Sequence, residues 1–146
     1  MADGDWAAAR PDIAVLMLTA SRGPDEDDGL TVLVRHEPGY VLVTVAGEVD
    51  FASAAGLRER LVALAVAGRP LAADLDRVSF IDAAGLGALA GAARHATAHG
   101  GSLRVVCGRR QIRRLFGLTR LDQVVPLAAS LAEIHLQAAE AGAEAV

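Results

Sequence analysis

The chain has 146 residues, 53% of them hydrophobic and 22% charged, with a formal net charge of −4. That suits one domain with a real core, excludes a disordered chain, and leaves no basic footprint for nucleic acid. All 14 basic residues are arginine, and the single cysteine, Cys107, excludes an intrachain disulfide and a cysteine-based zinc site. Residues 1–29 differ from the rest. Met1–Asp12 is mixed and holds Trp6; Ile13–Ala20 is a short apolar run; Arg22–Gly29 is acidic and turn-rich. The run is far below the roughly 18 residues that span a bilayer, so no membrane insertion is expected. Its acidic, mixed flank argues against a signal peptide. Met17 lies inside the run and offers a second translation start. We expect 1–29 to be a mobile extension with one weakly docking apolar segment, and 30–146 to be the folded domain.

From Leu30 the pattern is regular. Leu30, Val32 and Val34 alternate, Glu37-Pro38-Gly39 is turn chemistry, and Tyr40–Ala46 is rich in β-branched residues, which predicts a hairpin. Gly47–Asp50 leads into a helix with Leu57, Leu61, Leu64 and Ala65 on one stripe, ended by Gly68-Arg69-Pro70. Leu71–Leu75 is the third strand. Then comes D-L-D-R-V-S-F-I-D-A-A-G-L-G-A-L, Asp74–Leu89, around which the chain is organised. Leu75, Val78, Phe80 and Ile81 read as the end of a buried strand. Asp82 is a helix N-cap, because its carboxylate accepts from the free N–H groups of a first turn. Leu86, Leu89 and Ala93 form the following stripe. Backbone N–H groups and a positive dipole end then face the loop, a place suited to a phosphate or an acidic partner.

Gly100-Gly101 stops that helix, Leu103–Val106 is a fourth strand, and Arg109–Gly117 a short helix with Ile112, Leu115 and Phe116 inward. Val124-Val125 is expected as a short fifth strand and Ala128–Ala141 as the last helix. The sum is one α/β domain: a leading β-hairpin, then alternating helices and strands, giving a mixed four- to five-stranded sheet with about four helices. His95 and His99 stand at i, i+4 without an intervening Glu, so H-E-x-x-H is absent and a solvated face is expected rather than a metal site. No complete catalytic set accompanies any carboxylate pair, so neither an enzyme nor a cofactor is expected.

Residues 30–138 resemble a STAS domain, and more closely the bacterial anti-sigma factor antagonists. Four blocks carry the resemblance: G-E-V-D at Gly47–Asp50, the Asp74–Leu89 stretch, G-G-S-L-R-V-V at Gly100–Val106, and I-R-R-L-F-G-L-T-R-L-D at Ile112–Asp122. The resemblance implies a cytoplasmic regulatory module. It would bind an anti-sigma factor with a serine-kinase ATPase fold and so free a sigma factor. It places partner contacts at Asp82, Ala83, Ala84, Gly85 and Leu86, at the strand-end carboxylates Glu48 and Asp50, and on the exposed face of the following helix. In that family the partner kinase phosphorylates a serine in a D-S-S-G-L loop and the modified protein lets go. Here Ala83 and Ala84 replace both serines, and Ala84 holds the phosphosite position without a hydroxyl. Ser79 and Ser53 are the nearest hydroxyls. Arg120 stands where the family has glycine, and Arg109-Arg110 where proline is common.

Simpler roles are available for each residue. Asp82 can merely cap a helix, Gly85 merely permit close packing, and Arg109, Arg110, Arg113 and Arg114 merely form a solvated helix face. Two other functions fit the pattern less well. One is a STAS subunit of a transport or lipid-trafficking ATPase. The other is a nucleotide-binding sensor, although no Walker-type motif is present.

Overall fold

A computed structural model describes residues 13–17 and 29–135 of the chain. Six strands form one sheet in chain order: β1 (Ile13–Met17), β2 (Thr31–Glu37), β3 (Tyr40–Val49), β4 (Pro70–Ile81), β5 (Ser102–Val106) and β6 (Leu127–Ala128). β1, β2 and β3 pair antiparallel; β3 through β6 pair parallel. The parallel steps are bridged by α1 (Phe51–Ala65), α2 (Ala83–Ala98) and α3 (Arg110–Leu118). A short 3-10 turn, Leu121–Gln123, follows α3, and a last helix, α4, begins at residue 131.

Parallel crossovers are right-handed, and here they always step the same way, so their helices gather on one face. The buried cluster on that face joins Val41, Val43 and Val45 of β3 to Leu57 and Leu61 of α1, Leu89 and Ala93 of α2, and Phe116 of α3. The opposite face is smaller. Tyr40, Leu42, Ala72, Val106 and Ala128 pack there with Leu131 and Ile134 of α4, and the Tyr40 hydroxyl lies 3.1 Å from His135 Nε2.

The mixed sheet, the β2–β3 hairpin and the alternation after it match the sequence reading. β1 adds a further strand: Ile13 lies opposite Arg35 and Met17 opposite Thr31. The other residues of 1–28 lie outside the described residues. β4 runs on past Leu75 to Ile81. The expected strand at Val124-Val125 is displaced to Leu127–Ala128. The N–H groups of Val124 and Val125 both donate to Leu121 O, closing a turn, and ladder pairing resumes only beyond Pro126. Ala128 therefore belongs to β6, and α4 starts later than Ala128; residues 136–141 of that expected helix lie outside the described residues.

Candidate functional site

β3 and β4 end side by side, with Glu48 opposite Phe80 and Val49 opposite Ile81. Each strand runs straight into a helix through an aspartate. Asp50 is the N-cap of α1: its Oδ1 accepts from Ala52 N at 3.0 Å and Ser53 N at 3.1 Å. Ser53 Oγ answers by accepting from Asp50 N at 3.0 Å, a reciprocal capping box, and donates to Glu48 O at 2.8 Å. Asp82 is the N-cap of α2, its Oδ1 accepting from Gly85 N at 3.0 Å. Its Oδ2 accepts from Phe51 N at 3.1 Å, the first residue of the other helix. Asp82 N in turn donates to Val49 O at 3.2 Å. One carboxylate thus ties two helix starts and two strand ends together.

Gly85 makes this closeness possible. A Cβ there would lie 2.5 Å from Val49 O and 2.8 Å from both Ile81 Cγ1 and Val49 Cγ1, distances no side chain tolerates. The start of α2 therefore rests directly on the end of β3. Leu86 is buried beside Gly85, whereas Ala83 and Gly87 are exposed and Ala84 is half-buried. Of the five expected loop residues, Gly85 and Leu86 face inward, and the outward face consists of small side chains.

Two exposed aromatics complete this end of the molecule. Phe51 is 86% exposed and Phe80 50% exposed, while Phe116, the third phenylalanine, is fully buried. Phe80 is therefore not part of a buried strand end, contrary to the expectation. Its strand is irregular just before it: Val78 pairs with Gly47 and Phe80 with Glu48, so Ser79 is the extra residue of a bulge. Phe51 is not among the site residues that the sequence suggests. The available signal is its position off the Leu57–Leu61 stripe, directly after a capping aspartate. From Phe51 the outer face of α1 continues to an open groove of about 420 Å³ against α2, lined by Ala55, Arg58, Glu59, Val62 and His95.

The two candidate hydroxyls separate clearly. Ser53 is buried and its hydroxyl serves the capping box, so it is not open to a kinase. Ser79 is exposed and donates to Gly47 O at 3.3 Å. Arg109, Arg110 and Arg114 are exposed, in keeping with a solvated face, and Arg113 is half-buried; within that face Arg109 Nη1 donates to Val78 O and Arg113 Nη1 to Cys107 O at 2.9 Å. Cys107 is fully buried, and burial pushes its thiol pKa up, away from nucleophilic use. His95 and His99 stack with ring centroids 4.2 Å apart. Among the described residues, no three His, Cys, Asp or Glu side chains are grouped to hold a metal ion, and no helix is long and apolar enough to cross a membrane. Arg120 adopts the left-handed conformation, φ 59°, a region that glycine enters most readily.

The comparisons with known proteins agree with one another. The STAS domain profile matches residues 31–134. The chain is 36% identical over 100 residues to the anti-sigma-B factor antagonist of Bacillus subtilis (strain 168), covering 68% of this chain and 92% of that protein. An anti-sigma factor antagonist from Mycobacterium paratuberculosis superposes with a TM-score of 0.69 at 29% identity, covering 79% of this chain and 98% of that one. The murine Solute Carrier 26 family member A9 anion transporter has a TM-score of 0.64 at 18% identity, covering 88% of this chain and 22% of the transporter. That last likeness concerns the fold alone.

Proposed function

The chain belongs to the STAS domain family, and from that premise we propose that it is an anti-sigma factor antagonist, a cytoplasmic regulatory module without catalysis of its own. It binds an anti-sigma factor of serine-kinase ATPase fold and so frees a sigma factor. The docking surface is the joined end of β3 and β4: Glu48 and Asp50 on one strand, the 82–86 loop on the other, and the outer face of α2. The carrying observation is the intact loop. Asp82, Gly85 and Leu86 hold the start of α2 against Val49, and Ala84, at the phosphosite position, stays half-buried beside the exposed Ala83.

Regulation follows from the side chains. A phosphate on such a loop would add about −1.5 to −2 charges beside Asp82 and expel a partner by repulsion. Ala83 and Ala84 carry no hydroxyl, so this module binds without that switch and is controlled by its own abundance. Alanine also favours a helical turn more than serine does, which keeps the loop in its unmodified form.

The test uses the chain with the kinase-fold anti-sigma factors of its own genome, Mg²⁺ and ATP, followed by intact mass and affinity. Unchanged mass with retained binding is the expected result. Unchanged mass with no binding to any of them removes the antagonist reading and leaves the transport-associated one. A mass gain at Ser79 or Thr97, coupled to release, would falsify the absence of a switch. Ala84→Ser should restore phosphorylation and release if the docking geometry is that of the family.

A further inference from the structure

We propose that Asp82 serves docking through Phe51. Its carboxylate is a positioning group for the first turn of α1, and Phe51, with Phe80, is the apolar anchor for a protein partner whose pocket is rimmed by arginine or lysine. This inference rests on the protein-binding reading above and names the groups that carry it.

The Phe51 N–H is an orphan donor. Phe51 is the first residue of α1, and the first N–H groups of a helix have no partner within it. Asp50 serves Ala52 and Ser53. The Phe51 N–H is taken by Asp82 Oδ2, from the other helix. Loss of that bond leaves the capping box of α1 in place and frees only the residue that carries the ring. The ring itself stands in water at 86% exposure, and Phe80, near the end of the neighbouring strand, is 50% exposed. Phe116 is buried in the core, so both remaining phenylalanines of the chain are displayed at this one end. Exposed aromatics beside polar groups mark interaction sites, and aromatic anchors carry much of the affinity of protein interfaces. The carboxylates that border the two phenylalanines are Glu48 and Asp50. Glu48 is the ladder partner of Phe80, and Asp50 directly precedes Phe51. Charge complementarity therefore selects an apolar pocket edged by guanidinium or ammonium groups.

The test has two arms. In the isolated chain, amide hydrogen exchange of Phe51 and Gly85 is followed by NMR for the wild type and Asp82→Asn, whose amide keeps one acceptor oxygen in place of two. A Phe51 amide that is protected in the wild type and exchanges at least about tenfold faster in the variant supports the tie. A Phe51 amide unprotected in the wild type, or equally protected in both, overturns it. In the second arm, affinity for the kinase-fold anti-sigma factors is measured for the wild type, Phe51→Ala, Asp82→Asn and the double variant, with Leu118→Ala as a control on an exposed side chain outside this site. Phe51→Ala should weaken binding about 30-fold. Asp82→Asn should weaken it less, and the double variant no more than Phe51→Ala alone, because both changes act on one anchor. Losses that multiply independently overturn the positioning role, and an unchanged affinity of Phe51→Ala overturns the anchor. Either result leaves the antagonist reading standing if the wild type binds. A wild type that binds none of these partners removes that reading and the anchor together, while the exchange arm still decides whether Asp82 positions Phe51.

Discussion

Three helices start at the ends of neighbouring parallel strands, and two chemistries fix them. α1 and α2 begin on Asp50 and Asp82, whose oxygens accept from helix N–H groups. α3 begins on Arg109, which caps nothing with its side chain and donates instead to Val78 O, while Arg113 donates to Cys107 O. On the aspartate side the helices are tied by their own free donors. On the arginine side a long flexible side chain ties up strand carbonyls and leaves the helix start without a side-chain cap. The first arrangement demands particular short residues at fixed places. The second tolerates variation, since a longer reach can find a carbonyl from more than one position.

The largest effect that separates the two sides should come from Gly85→Ala. The new Cβ meets Val49 O at 2.5 Å, and backbone cannot step aside as a side-chain tip can. A loss of about 3 kcal/mol in urea unfolding is expected. A loss below about 1 kcal/mol would mean that α2 does not rest on β3 so closely. Next is Asp82→Ala, which removes a partner from two helix starts and should cost about 2 kcal/mol, against about 1 kcal/mol each for Asp50→Ala and Arg109→Ala. Equal losses for all three would erase the distinction between shared and single ties.

A third carboxylate on β4 sharpens the contrast. Asp74 lies on the other face of the sheet, half-buried, and burial pushes its pKa above the ordinary value, with Asp76 adding charge repulsion. The Asp76 N–H, donated to Asp74 Oδ1 at 2.9 Å, opposes the shift without cancelling it. A raised folded pKa means that the folded chain holds its proton more firmly than the unfolded one. Stability therefore falls as pH rises from the unfolded value, about 3.9, through the folded value, and is flat above it. Asp74→Asn retains an oxygen for Asp76 and should be more stable than the wild type at neutral pH. The advantage should shrink as the pH is lowered toward the unfolded value; a gap independent of pH contradicts the assignment. The smallest effect belongs to the arginine side. Arg120 is left-handed, and glycine accepts that conformation without a Cβ clash, so Arg120→Gly should raise stability by about 0.5–1 kcal/mol. A destabilised variant would show that the arginine side chain, not its backbone, matters at that turn.

Much of this was readable from the sequence, for local reasons. Leu57 and Leu61 announce a helix stripe, Val41, Val43 and Val45 a strand, and Asp82 before Ala83-Ala84-Gly85 a cap; each signal lies within a few residues. What escaped is non-local. No spacing rule joins Asp82 to the N–H of Phe51, because the two meet only through the β3–β4 ladder. Phe80 reads as buried in a hydrophobic run, but the bulge at Ser79 interrupts the alternation that the run suggests. β6 lies beyond the expected Val124-Val125 because Val125 is buried through a turn, and burial alone does not distinguish a strand from a turn. That Arg109 and Arg113 also reach the carbonyls of Val78 and Cys107 cannot be read from their place on an amphipathic helix.

The order of the sheet has a consequence for how the chain is made. Among the described residues, strands that neighbour each other in the sheet also follow each other in the sequence, and no ladder joins strands that are not consecutive. A domain emerging from the ribosome appears N-terminus first. Each new strand here finds its ladder partner already outside, at the edge of whatever has formed. The growing edge is thus always the one the next segment is built to cover, and no early strand must wait, exposed, for a partner encoded at the far end. Contacts kept between sequence neighbours also lower the entropy lost in closing loops, which favours fast folding.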